Sequence, residues 1–541
     1  MKRPILVALV LLAALLAGCS KSNDGNGGGD GTPAVADTSW VARALHDDSD
    51  NHDHRDWKQH VGLSTPNFVE LAHDPLGIPA FGNKTAGGYF CGGATTTAEG
   101  RRISVIHSFD TSIAFVVVDA TDPMHPVHLG DYVLDHAQTY DVDVTPDGKH
   151  VVIAADPSTG ETAPGGSALD RALDAAAGRW SFDAAEVGKP VVLHPEFRDA
   201  CTGEVRFGPE QTVYAGPSTI LVSIEDPSNP VFESLVPSPI LGPHSVSTAE
   251  INGVTYVGAS ITNLLHQGSY YQFYELTDTP LGAQLQPVSF VDAGQYGNNV
   301  ENGAAGIALL NGHVDAEISV HPVTGKPVIY LSDWDGGLIV LDFSNPRVPL
   351  QLGSWKDMGP DNGAVHSTRS IEGIHNGRHY VLAGQEFIGH PSNRPSGWIY
   401  VLDDTDPTNV FEVGRWTLPI DVQSEWGGVE LYSTHYFRVL NDTAFAAMYH
   451  GGVWAFKLDY DHPDSMLLPP SVGVFMPDGD SQQGRQPTGF YDYAPFVLDV
   501  FPYPDGNLVI YDGLSGMYSV HYDASKDQAS PEPWPANGKP L

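Results

Sequence analysis

One local pattern limits this chain more than any other. A run of β-branched and aromatic residues leads into a polar side chain and then a D/N-P turn, over and over. It reads FVVVDATDPMHPV from Phe115, ILVSIEDPSNPV from Ile220, LIVLDFSNPRVPL from Leu338 and IYVLDDTDPTNVF from Ile399. More degenerate copies are YQFYELTDTP from Tyr271, VWAFKLDYDHP from Val453 and MYSVHYDASKD from Met517. Short apolar runs bounded by Asp, Asn, Gly and Pro are strands followed by turns. The Asp residues read as turn formers, since Asx side chains bond to nearby backbone amides. After a first interval of 105 residues, the copies start 51 to 67 residues apart, which suits a four-stranded sheet with generous loops. The long first interval implies an insertion, roughly Pro157 to Pro195, whose SALDRALDAAAGRW is expected to form a short helix. One such sheet cannot bury both faces alone, so sheets repeating at this period stack radially. The expected fold class is all-β, a β-propeller of seven four-stranded blades.

Closure of that ring needs the termini to meet. The last blade offers three strands, FVLDVF from Phe496, NLVIYD from Asn507 and MYSVHY, before a Pro-rich tail at 528–541. Asn67 to Ala72 (NFVELA) is expected to supply the missing outer strand and so remove an exposed edge. The propeller then spans residues 67–527.

A D-x-[ST]-[DN]-P turn after a V-x-V-x-D strand resembles the LVIVD repeat family of bacterial surface β-propeller lipoproteins. The likeness covers about residues 87 to 525. It implies the fold and no common reaction.

The N-terminal residues point to export. Lys2 and Arg3 precede an apolar run from Ile5 to Leu16, and Leu16-Ala17-Gly18-Cys19 has small residues at a cleavage position. This is the layout of a secretory signal, and it resembles the lipobox of bacterial lipoproteins. On that reading residues 1–18 are removed, Cys19 is lipidated, and acyl chains anchor the chain without spanning the membrane. Ser20 after the cysteine favours the outer membrane in a Gram-negative host. Residues 19–66 form a tether. Its first part, Ser20 to Asp37, is too poor in apolar surface to fold. Its second holds HDDSDNHDHRDWKQH from His46 to His60, which reads as a solvated linker or a loose cation trap. Sixty-six acidic against twenty-seven basic residues give a formal charge of −39. A field of that sign opposes nucleic acid and anionic lipid, which excludes a nucleic-acid role. With Cys19 lipidated, Cys91 and Cys201 are expected to form one disulfide in an oxidising compartment. The rival reading leaves a free thiol at Cys91.

Chemistry concentrates upstream of the repeat. His136, His244, His313, His366 and His435 each open the stretch leading to a blade's innermost strand, and Cys91 takes that place in blade one. Second strands tend to end in a polar group: His107, Asp156, Asp333 with Asp335, Glu386, His450 and Asp512. Antiparallel neighbours place the start of the first strand and the end of the second on one face. Imidazoles and carboxylates therefore converge on one mouth of the channel, a mixture suited to a divalent transition metal such as Zn, Cu, Fe or Mn. The alternative is that these histidines fasten inner strands to neighbouring blades. No G-x-S-x-G, H-E-x-x-H, P-loop or dinucleotide fingerprint occurs. Two functions follow. One is an envelope-anchored surface module that binds a protein or glycan. The other is a metal-dependent oxidoreductase or hydrolase with its site at the histidine-lined mouth.

Overall fold

The computed structural model describes residues 64–76, 89–108, 114–132, 137–157, 190–193, 196–198, 205–207, 211–214, 218–238, 243–263, 268–280, 282–293, 313–334, 336–357, 365–386, 397–418, 433–462, 466–477, 495–513 and 515–528. Cys19, the tether with His46 to His60, the SALDRALDAAAGRW segment, His136, Asp335 and Cys201 lie outside them.

The chain forms a seven-bladed propeller of four-stranded antiparallel sheets. Blade one is Tyr89–Thr96, Arg102–Ser108, Phe115–Asp119 and Val127–Tyr132. Blade two is Ala137–Val144, His150–Pro157, Ser218–Ser223 and Val231–Pro237, and blade three is Pro243–Ile251, Val254–Asn263, Gly268–Thr279 and Gly282–Asp292. Blade four is His313–Val320, Pro327–Asp333, Gly337–Asp342 and Leu350–Trp355, and blade five is Val365–Ser370, Tyr380–Gln385, Ile399–Asp403 and Phe411–Trp416. Blade six is Phe437–Leu440, Thr443–Ala447, Val453–Lys457 and Ser471–Phe475. Blade seven joins Val497–Pro502, Asn507–Asp512 and Gly516–Tyr522 to the N-terminal strand Phe68–Asp74. The insertion in blade two runs further than residue 195. It reaches the third strand at Ser218 and carries two small ladders, Pro190–Leu193 with Gln211–Tyr214 and Glu196–Arg198 with Val205–Phe207.

Burial explains the repeat. The third strand of a blade lies between two neighbouring sheets, so both of its faces are covered and it reads as an unbroken apolar run rather than an alternation. Phe115–Asp119, Gly337–Asp342 and Ile399–Asp403 are buried along nearly their whole length. The apolar core accordingly divides into seven wedges, one at each interface between blades. One of them packs Ile106, Val116 and Val118 of blade one against Tyr503, Val509 and Tyr511 of blade seven, and so completes the circle.

The turns behave as Asx turns. Amides of Thr121, Ser344 and Thr405 donate to Asp119, Asp342 and Asp403 at 2.9, 2.8 and 3.0 Å. A second Asx turn follows at once, from Met124 to Asp122 and from Thr408 to Asp406, both at 3.0 Å. These turns dock on the preceding blade, where the fourth strand must be glycine. A Cβ at Gly353 would lie 2.3 Å from the Pro407 carbonyl oxygen, and one at Gly414 only 1.7 Å from that of Met466.

The N-terminal strand closes the ring. Phe68 pairs with Tyr522 and Asp74 with Met517, with a bulge between Glu70 and Ala72. The residues just before it lace the edge of blade six. The Thr65 amide donates to the Val474 carbonyl at 2.9 Å, and Val474 N donates to Thr65 Oγ1 at 2.8 Å. Asn67 Nδ2 donates to the Val472 carbonyl at 3.0 Å and to Asp527 Oδ1 at 3.1 Å.

Candidate metal centre

A recurrent irregularity shapes one mouth of the channel. In every blade but the sixth, the pairing of first and second strands slips at its mouth end. Blade six does the same, because His435 N donates to the Ala447 carbonyl while Ala447 N donates to that of Tyr436. A bulge of this kind turns a side chain out of the ordinary pleat. The extra residue is Tyr140, His244, Val314, His366, His435 and Leu498 in blades two to seven, and in blade one Phe90 and Cys91 together face His107. Three of the five histidines therefore share one structural position. His313 does not, since it starts its strand one residue before the bulge, paired with Asp333. The sequence alignment put all five at one place because a one-residue slip leaves no mark in composition.

Two of the bulge histidines meet. His366 and His435, from adjacent blades, have ring centroids 4.4 Å apart. Glu386, just past the second strand of blade five, lies with Oε2 3.5 Å from His366 Nε2. One ligand atom from each of the three falls within 4.8 Å of the others. His435 Nδ1 donates to the Leu498 carbonyl at 3.0 Å. That bond fixes the tautomer and leaves Nε2 as the basic nitrogen, a common arrangement for an imidazole ligand. His366 is 2% exposed, and its Nδ1 has no hydrogen-bond partner among the described residues. Glu386 is also buried, and its Oε1 accepts from the Tyr449 hydroxyl.

Burial keeps the rings of this group neutral. Burial holds His366 well below its ordinary range, and proximity to His435 and His244 adds to this. Burial also lowers His435 to about 3 and His244 to about 4. None of the three has to lose a proton at neutral pH before it can ligate. Burial raises Glu386 to about 7, although the Tyr449 hydroxyl opposes the shift. His244 lies near enough for its charge to be felt by both His366 and His435.

Blade one contributes a second group. His107 Nδ1 donates to the Cys91 carbonyl at 2.8 Å, with Cys91 Sγ 3.8 Å from the same nitrogen. Cys91 is a free, buried thiol, so the expected disulfide with Cys201 is not formed. Burial beside Asp141 drives the thiol well above its usual range, which keeps it protonated and inert. Asp141 accepts from the amides of Val142 at 2.9 Å and Val246 at 3.0 Å. This trio ties blades one, two and three together.

The remaining positions are placed as follows. Asp512 accepts from the Phe496 and Ser515 amides, both at 2.7 Å, and acts as a turn former. His450 packs edge-on against Phe496, with ring centroids 5.2 Å apart. Asp333 is buried at the end of its strand. His313 and Asp156 stand at strand ends on the mouth side.

Three features escaped sequence reasoning. Tyr449, which sequence reasoning passed over for its neighbour His450, reaches Glu386. Deeper in the channel, Tyr436 lies between Arg369 and Arg438, each with Cζ 5.5 Å from its ring centre. Arg369 pairs with Asp315 at 2.6 Å and Arg438 with Asp499 at 3.2 Å. On the opposite face, His321, His379 and Asp404 cluster without exposure. There His321 Nε2 donates to the Asp404 carbonyl at 2.7 Å, and its Nδ1 accepts from Thr324 N at 3.1 Å. Both nitrogens are engaged, so that cluster is a staple between blades four and five.

No family model matches the chain, and no curated protein matches it. Solved structures similar to it include the WD40 β-propeller domain of Doa1, at 8% identity and TM-score 0.40, covering 85% of this chain and 98% of that one. YCF48 from Cyanidioschyzon merolae matches at 9% identity and TM-score 0.41, covering 84% and 98%. The computationally designed Ika8 protein matches at 10% identity and TM-score 0.34, covering 84% and 99%.

Proposed function

We propose that this propeller binds a divalent transition metal ion of the Zn, Cu, Fe or Mn group at the mouth of its channel, through His366, His435 and Glu386. One observation carries the reading. Two neutral imidazoles, His366 buried and His435 half-buried, and a buried carboxylate from two adjacent blades bring ligand atoms within 4.8 Å of one another. Two imidazoles and one carboxylate are a donor set that leaves a coordination position for water or substrate. When bound, such an ion supplies Lewis acidity, an activated water or a redox centre, the basis for an oxidoreductase or hydrolase. The chain's own part is to present neutral rings, fix the His435 tautomer through Leu498 and keep bulk water from Glu386. His244 faces the group from blade three.

The reading places the protein outside the cell, in the envelope, held to a membrane by lipid at Cys19 and, in a Gram-negative host, to the outer membrane. The signal-like residues 1–18 and the Gly-rich tether support it, as does the LVIVD-type repeat. A second reading, an interaction module for an envelope protein or glycan, is favoured by a repeated apolar rim. Val127, Val231, Leu350 and Phe411 are exposed near the start of the outermost strands of four blades. Such a rim suits a partner surface more than isolated apolar residues do.

Elemental analysis of the chain, purified without a histidine tag or chelator, separates the two. The metal reading expects about one transition metal ion per chain, lost in a His366→Ala, His435→Ala double variant whose circular dichroism is unchanged. Metal retained by that variant, or none taken up by the parent from Zn, Cu, Fe and Mn salts, refutes it.

A further inference from the structure

Among the described residues outside the proposed ligand set, Tyr436 and Tyr449 each touch two of its members; Tyr436 does so through its ring alone, against His366 and His435, while Tyr449 adds a hydrogen bond. Its hydroxyl donates to Glu386 Oε1, and its ring meets that of His435 nearly edge-on, centroids 5.3 Å apart. It reaches both from a costly backbone conformation. Its φ is +48°, in the left-handed region that a bulky side chain rarely adopts. Four of the other non-glycine residues with positive φ are Leu76 and the turn asparagines Asn252, Asn376 and Asn441. Tyr449 is the first central residue of a hairpin turn that Gly451 N closes on the Met448 carbonyl at 2.8 Å, a place where a positive φ is expected but glycine, not a bulky ring, is preferred. Its amide donates to the Val497 carbonyl and its carbonyl accepts from Val497 N, both at 3.0 Å, so blade seven grips it from each side. Strain of this kind persists only where surrounding structure over-determines it, and it gathers at functional sites.

The left-handed twist also has a geometric result. It follows the strand Thr443–Ala447 and turns Tyr449 towards the cluster, with Phe496 packed against the rings of both Tyr449 and His450. We infer that Tyr449 is the positioning residue of the metal centre: its hydroxyl holds the Glu386 carboxylate, its ring walls off His435, and its strained backbone aims both. This inference rests on the metal reading above. It goes further in naming a residue that does not ligate and yet sets affinity, because partners behind a ligand orient it and tune its basicity.

Titration of the full chain with Co(II), followed by Zn(II) competition, tests it on the parent and on Tyr449→Phe. The phenylalanine keeps the ring and loses only the hydroxyl. The expected result is metal affinity weakened by about 10- to 100-fold, together with a changed Co(II) visible spectrum, while circular dichroism stays native. A merely structural tyrosine would move the melting temperature and leave that spectrum alone. Unchanged affinity and an unchanged spectrum overturn the positioning role while the metal reading stands. A parent chain that takes up neither ion overturns both. Should Tyr449→Phe fold poorly, Tyr449→Asn tolerates the left-handed φ and lacks the phenol, and the same comparison decides.

Discussion

Replacing Phe68 by Ala tests whether the N-terminal strand closes the propeller. The ring is 5% exposed and sits 5.1 Å from Tyr522, 6.3 Å from Phe445 and 6.5 Å from Phe475, measured between centroids. It thus joins the N-terminal strand to blades six and seven at once. Truncating a buried phenylalanine costs about 3–5 kcal/mol, the transfer term plus the cavity left behind. The neighbouring Val69 points the other way and is 42% exposed. Val69→Ala should change stability by no more than about 0.5 kcal/mol. Urea unfolding followed by tryptophan fluorescence gives both numbers, and amide exchange over 517–522 reports whether the paired strand opens first. A Phe68→Ala loss below about 1 kcal/mol, with exchange at 517–522 unaltered, would refute the idea that this strand fastens the ring.

Two further outcomes are expected. Gly353→Ala puts a Cβ 2.3 Å from a backbone carbonyl and Gly414→Ala puts one 1.7 Å away, so both should lower the melting temperature, Gly414→Ala more; equal or reversed losses would contradict the docking of turns on glycine. Asp499 is raised by burial to about 7, against the pull of Arg438 and Arg369, so between about pH 4 and 7 the folded chain holds a proton that the unfolded one has released, and this group's contribution falls as pH rises. Asp499→Asn should therefore flatten the decline in unfolding free energy between pH 5 and 7.5, by an amount on the order of 2–4 kcal/mol, and an identical slope would count against the shift.

The fold was legible because its two strongest signals are local. Each third strand is buried on both sides, and each Asp-Pro turn announces where it ends, so the blade count and the closing strand near Asn67–Ala72 can be read directly. The mouth was legible in part. His366, His435 and Glu386 all stand among the residues that sequence reasoning placed at one face. Their actual meeting depends on bulges, which add one residue without altering composition, and so His313 looked equivalent to His366 although it is not. Tyr449 was hidden behind His450 because strand periodicity does not carry through a left-handed turn residue. The Arg369–Tyr436–Arg438 stack and the His321–His379–Asp404 staple need the relative heights of neighbouring blades, which strand spacing does not encode.

The closing strand also sets an order of events in the life of the chain. Blades one to six are each made from strands that follow one another, so each has its partners as soon as it is synthesised. Phe68–Asp74 emerges before any of them, yet its partner Gly516–Tyr522 is among the last segments made. Throughout elongation, and through any passage across a membrane, the first strand must wait with its hydrogen-bonding edge unpaired, an interval in which aggregation is the competing fate. Completion of the seventh blade is thus a long-range closure, expected to be the slow step of folding, and a chain cut short before Tyr522 would carry six blades and an open seam.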